Sequence, residues 1–166
     1  MLLADDLSTE FSNECAATKK LLERLPEDKL SFKPHSKSMS LGRLATHLAE
    51  LPRWGKTIMQ NDGYDMSKLD RSRKPLELGS RREILDLLEK NEASFTENVR
   101  GKEDGMMLAR WKLQMGDKVL FDLPRVVALR RMVLGHTIHH RGQLTVYLRL
   151  NDVPLPGLYG STADEG

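Results

Sequence analysis

Four stretches of this chain place apolar side chains at intervals of three and four residues, and that spacing commits most of it to helix. The first runs from about Asp5 to Leu25, with Leu7, Phe11, Thr18, Leu22 and Leu25 on one face. Pro26 ends it, because a proline ring cannot sit inside a continuing helix. The second runs from about Ser40 to Gln60 on a stripe of Leu44, Leu48, Leu51, Trp54 and Ile58. Pro52 lies within it and lacks the N–H that would reach Leu48, so a kink is expected there.

The third stretch opens on Ser80-Arg-Arg-Glu83, a Ser-x-x-Glu capping box. It continues through Ile84, Leu87, Leu88, Phe95 and Val99 to Gly101. The last begins near Leu123-Pro124, with Asp122 as its cap, and extends to about Leu150. The tail from Asn151 is rich in proline and glycine and reads as loop.

Two connections are long. Asn61 to Gly79 is polar and irregular, well beyond the roughly two to eight residues that join antiparallel helices, and suits a crossover along a bundle. Between the third and fourth helices, ARWKLQMGDKVLFDLP alternates on both sides of Gly116-Asp117, the pattern of a small hairpin. These features predict an all-α chain: a four-helix bundle with long crossover connections and a small hairpin insertion between helices three and four. Its length suits a single domain over residues 1–166.

A formal charge of +2 gives no bulk argument for nucleic acid or an anionic membrane as partner. One cysteine, Cys15, excludes an internal disulfide and any Cys-x-x-Cys motif, and its apolar neighbours make it a core residue. The N-terminal residues lack a secretory pattern and no apolar run suits a membrane span. The expected location is the cytoplasm.

The chemistry lies in GHTIHHRGQL, which holds three of the five histidines. On a wheel of about 100° per residue, His136 and His140 fall one turn apart within the apolar face, among Leu129, Val133, Leu144 and Tyr147. His139 falls at the edge of that face. A His-x-x-x-His spacing lets two imidazoles converge on one ion from a single helix. A third ligand must come from another helix, and His47 shares the inward stripe of the second. A lone inward histidine is most often a hydrogen-bonded core residue. Three on two facing stripes are harder to explain that way, since each left without a partner costs roughly 1–3 kcal/mol. Thr137 stands where the zincin motif has its catalytic glutamate, so this helix supplies no such base. Glu50, one turn past His47, is a candidate to orient a ligand or act as a base. No other catalytic residue and no residue binding an organic cofactor is identifiable.

Three segments together resemble the DinB family, whose relatives include YfiT: SMSLGRLATHLAELPRW, HTIHHRGQL and NDVPLPGLYGSTADE. Their order and separation cover nearly the whole chain. The resemblance implies a metal-dependent four-helix bundle whose second and third helices run parallel, with ligands His47, His136 and His140 and with His139 left out. Arg141 and Gln143 match positions that follow the family's second ligand histidine. Ser161 departs from a Tyr-Gly-Pro tail. Known relatives include S-transferases and isomerases that use bacillithiol or mycothiol with zinc or nickel. The resemblance therefore implies a divalent ion, zinc or nickel, that activates water or a low-molecular-weight thiol. The alternative is a non-catalytic stress-response or damage-response module with a structural or vestigial metal.

Three further features carry expectations. Arg125, Arg130, Arg131, Arg141 and Arg149 make the last helix basic, a solvated face paired with acids of other helices, or a contact for an anionic substrate. Val127, Leu134 and Ile138 form a second apolar line on that helix, which is then either buried between neighbours or joined to another subunit, with a homodimer favoured. Trp54 reads as core or as the wall of a pocket for a small-molecule substrate.

Overall fold

The structure is a computed structural model and describes residues 2–70, 72 and 74–165. Met1 and Gly166, the ends of the expected domain, lie outside the described residues, as do Arg71 and Arg73 of the crossover. The protein is mostly helical and carries a three-stranded sheet, so the all-α expectation needs correcting.

Helix α1 (Leu3–Leu22) has Asp5 and Asp6 in its first turn and Lys19 and Lys20 in its last, each charge complementing the helix dipole. It stops short of the expected Leu25, yet Leu25 remains buried in the turn before Pro26. The expected second helix is two. In α2 (Leu41–Glu50) the hydroxyl of Ser40 caps the N–H of Arg43 at 3.0 Å. A 3-10 turn at Leu51–Arg53 then absorbs Pro52, and α3 (Trp54–Gln60) continues beyond it. The missing N–H of proline is accommodated by tightening one turn rather than by ending the element.

Ser80 caps helix α4 (Arg81–Val99), accepting the N–H of Glu83 at 3.2 Å and donating to its carboxylate at 2.9 Å. Gly101 ends this segment with a φ of +72°, a conformation open to glycine without strain. A short helix α5 (Asp104–Leu108), absent from the sequence reading, precedes the hairpin.

The hairpin consists of β2 (Arg110–Met115) and β3 (Lys118–Pro124), turning at Gly116. A third strand, β1 (Gly63–Asp65), comes from the crossover and pairs parallel with β2. Its three residues are too few to show alternation. Gly63 admits the pairing, because a Cβ there would lie 2.8 Å from the Lys112 carbonyl oxygen.

Strand β3 also corrects the start of the last helix. Leu123 and Pro124 pair with Trp111 and Arg110, so helix α6 (Arg125–Leu129) begins only after Pro124. Asp122 is no cap: it sits in β3 and accepts from the Arg110 side chain at 2.9 Å. A π-helical segment, Arg130–Gly135, then leads into α7 (His136–Arg149). The wider π turn interrupts the α-helical period, and the predicted second apolar line divides between core and surface. Leu134 is buried, while Val127 and Ile138 are 42% and 41% exposed.

Contacts give the helix directions. Asn91 bonds the carbonyl of Ala49 and Gln60 bonds Asn98, so α2, α3 and α4 run parallel. Phe11 stacks on Phe95 while Gly101 bonds Asp5, making α1 antiparallel to α4. Glu10 pairs with Arg130 and Glu14 with Arg141, so α1 and α7 run parallel. Tyr147 bonds Met39 as His136 meets His47, so α7 opposes α2. Among the described residues no helix is long and apolar enough to cross a membrane.

Candidate metal centre

Two elements supply the site. On α2, His47 lies among Leu44, Leu48 and Leu51, all buried, so the stripe that packs the helix also aims the ring inward. On α7, His136 and His140 follow the π-helical segment at the start of regular α-helix, where i and i+4 share a face. The structure brings the three rings together. The Nε2 atoms of His47 and His136 are 3.3 Å apart, and those of His136 and His140 are 2.9 Å apart. The rings of His47 and His140 meet edge to face with centroids at 4.6 Å. One nitrogen from each residue lies within 4.8 Å of the others, the spacing of a possible metal site. His139 stays outside this group, exposed beside His140.

These spacings suit one ion. Nitrogens bound at about 2.0–2.1 Å with angles of about 90–110° stand roughly 2.8–3.4 Å apart. Hydrogen bonding alone serves the cluster poorly. An Nε2 carries one in-plane hydrogen or one lone pair, so His136 cannot satisfy two facing neighbours with it. The neighbours also set tautomers. The Nδ1 of His140 lies 2.6 Å from Oε1 of Gln143 and donates to it, which leaves an Nε2 lone pair facing the cluster. His136 bonds the backbone of Met132 in the π-helical segment. Such outer contacts orient ligand rings and hold their tautomers.

The rings are neutral near pH 7. Burial first, then repulsion from His140, His136, Arg43 and Arg53, pulls His47 down to about 4. Burial likewise lowers His136 and His140, against the opposing bonds from Met132 and Gln143. Neutral imidazole is the form that binds a cation.

Glu50, the candidate base, is buried, and both its oxygens are engaged. Arg43 donates to one at 3.0 Å and Arg53 to the other at 3.2 Å. The two guanidiniums hold its charge, so the trio leaves a net positive charge beside the histidines. Sequence reading passed over Arg43, although it lies one helical turn before His47 (i−4). It gave Gln143 no task, although i+3 spacing from His140 was the available signal.

The basic face of the last helix divides. Arg130 and Arg149 pair with Glu10 and Asp164 at the surface, and Arg131 lies over the Phe121 ring. Arg125 and Arg141 contradict the solvated reading, because both are buried. Arg125 binds Asp62 and the carbonyls of Asn61 and Arg110, joining α6 to the sheet. Trp54 packs edge-on against Tyr64 and Trp111. Cys15 is buried as expected, and burial and Glu92 push its thiol well above the usual range.

The DinB family profile matches residues 3–165. A DinB-like protein from Bacillus cereus is similar in structure, with a TM-score of 0.70 at 23% identity, covering 92% of this chain and 95% of that one. A DinB-like protein from Bacillus subtilis gives 0.68 at 20% identity, covering 93% and 98%. At such identities the likeness is one of fold. No curated protein matches the chain.

Proposed function

The chain belongs to the DinB family, and from that premise we propose that it is a metal-dependent enzyme built on a four-helix bundle, a hydrolase or a thiol S-transferase. His47, His136 and His140 would hold one divalent ion, zinc or nickel, since imidazole suits either. The observation that carries this reading is the convergence of three neutral imidazoles at 2.9 and 3.3 Å. When bound, such an ion lowers the pKa of water or of a thiol, bacillithiol or mycothiol among the candidates, and polarises a bound carbonyl.

The chain's own residues have separate tasks. Gln143 holds the His140 tautomer, and Met132 steadies His136. Arg43 and Arg53 bind Glu50 and leave an excess positive charge suited to an anionic nucleophile or substrate. Three histidine ligands leave coordination room for an exchangeable group, the condition of a catalytic site rather than a structural one.

The test is turnover by the full chain, purified without a His-tag and loaded with Zn²⁺ or Ni²⁺. It would be offered thiol donors with electrophiles, then esters and amides. Turnover is expected in one panel and absent from a His136→Ala/His140→Ala variant. Full metal occupancy with no turnover in any panel would sink the enzymatic reading in favour of a binding module.

Self-association belongs with this proposal. Val127 and Ile138 remain exposed on the last helix, and a homodimer through them should become monomeric in Ile138→Glu by light scattering. An unchanged mass rules that surface out.

A further inference from the structure

Arg141 follows the ligand His140 directly, yet it faces away from the metal centre, lying about 100° from His140 and about 140° from His136 around the helix. It is 2% exposed. One Nη donates to the backbone carbonyl of Glu14 at 2.9 Å and to the hydroxyl of Thr18 at 3.5 Å. The other donates to the Glu14 carboxylate and to the Tyr159 hydroxyl. Tyr159 closes the arrangement by donating to the same carboxylate at 2.7 Å. Every planar donor direction of that guanidinium end is aimed at α1 or at the C-terminal tail.

Tyr159 is delivered by a tail that is itself fastened. Arg149 pairs with Asp164, which also accepts the N–H of Leu155, and Glu165 accepts the N–H of Gly157. Arg24 on the turn after α1 donates to the carbonyl of Pro154. Tyr159 is 73% exposed; its hydroxyl bonds the pair, and Arg141 Cζ also lies 5.2 Å from its ring centroid, a contact that phenylalanine would keep.

We infer that Glu14, Arg141 and Tyr159 form a positioning clamp that sets the rotation of α7 about its axis and so holds His136 and His140 at the angle where they meet His47. This inference rests on the metal-binding reading proposed above. A buried ion pair adds little net stability over an apolar replacement, and its best-attested use is to select one arrangement. The sensitivity is large. A ring nitrogen roughly 7 Å from a helix axis moves roughly 1 Å for each 10° of rotation. Metal–ligand distances must hold within about 0.2 Å.

The test uses Co²⁺ titrated into the full chain, with its visible absorption bands as the signature of coordination geometry. Tyr159→Phe removes one hydroxyl from an exposed ring and should fold normally by circular dichroism. It is expected to weaken Co²⁺ binding about 10-fold and to change the band shape, with Glu14→Gln weaker still, in the range of about 10- to 100-fold for outer-sphere partners of ligands. Leu7→Ala, a core truncation of the same α1 far from the clamp, should lower the melting temperature and leave the cobalt bands unchanged. Wild-type affinity and bands in both clamp variants would overturn the clamp and leave the metal reading intact. The same spectral change in Leu7→Ala would also overturn it, by showing a general loss of stability. A wild-type chain that takes up no Co²⁺ would overturn both readings.

Discussion

Replacing His136 and His140 together by alanine should reduce bound Zn²⁺ from about one ion per chain to none, as read by elemental analysis of protein purified without a His-tag. The two rings supply two of the three converging nitrogens, and a lone His47 is left as an ordinary half-buried imidazole. The thermal consequence is large. An ion that binds only the folded chain, supplied at about 1,000 times its dissociation constant, adds about 4.1 kcal/mol. For a chain of this size that corresponds to a rise of roughly 8–16 °C in melting temperature. The wild type should show this rise on adding Zn²⁺ and lose it with a chelator, while the double variant melts at one temperature with or without metal. A metal-dependent rise that survives in the variant would place the ion elsewhere.

The same rings give the metal-free protein an acid sensitivity with a definite sign. Unfolded, each imidazole takes up a proton near pH 6.5. Folded, His47 resists until about 4, and His136 and His140 are also lowered. As pH falls from about 6.5 toward 4, the unfolded chain binds more protons than the folded one, so stability falls through that window. Below it these rings exact no further loss. Urea midpoints at pH 7 and pH 5 should therefore differ less in the double variant than in the wild type. An equal difference would mean that His136 and His140 are not among the groups responsible, since His47 is kept in the variant.

Legibility in the sequence followed the range of each interaction. Helical stripes and the His136–His140 pair are local, and a 3.6-residue period carries them whatever the rest of the chain does. The inward aim of His47 followed from the same period on α2. The second apolar line of the last helix was legible as apolar but not as covered: Leu134 is buried while Val127 and Ile138 are exposed, because a wheel does not show which neighbours pack on a face. Strand β1 is held by pairing with residues on the far side of α4 and α5, and three residues hold no pattern of their own. The fates of Arg125 and Arg141 were likewise set at a distance, by Asp62 and Glu14. On a helical wheel, a buried arginine and a solvated one look alike.

Phe95→Ala should be a severely damaging change in the core, and its contact with Gly55 gives it a specific signature. Phe95 is fully buried on α4, stacked on Phe11 of α1 with ring centroids 3.7 Å apart. It also lies against the backbone of α3. A Cβ at Gly55 would come within 2.5 Å of the Phe95 ring and 3.2 Å of its Cα. Truncating such a ring costs about 3–5 kcal/mol, or roughly 6–20 °C in melting temperature. Gly55→Ala alone should also destabilise, because overpacking at about 1–3 kcal/mol exceeds the roughly 1 kcal/mol that alanine gains over glycine in a helix. In the Phe95→Ala background the cost should shrink. The ring contact at 2.5 Å is gone and the helix preference of roughly 1 kcal/mol remains, while the 3.2 Å approach to the Cα of residue 95 persists, so Gly55→Ala should be milder there than in the wild type. Denaturant midpoints of the four proteins complete the cycle, and an equal effect of Gly55→Ala in both backgrounds would show that this contact does not set the approach of α3 to α4. The α2–α3 unit carries His47, and α4 holds that unit from behind at this junction, so the size of one side chain there bears on where the imidazole stands.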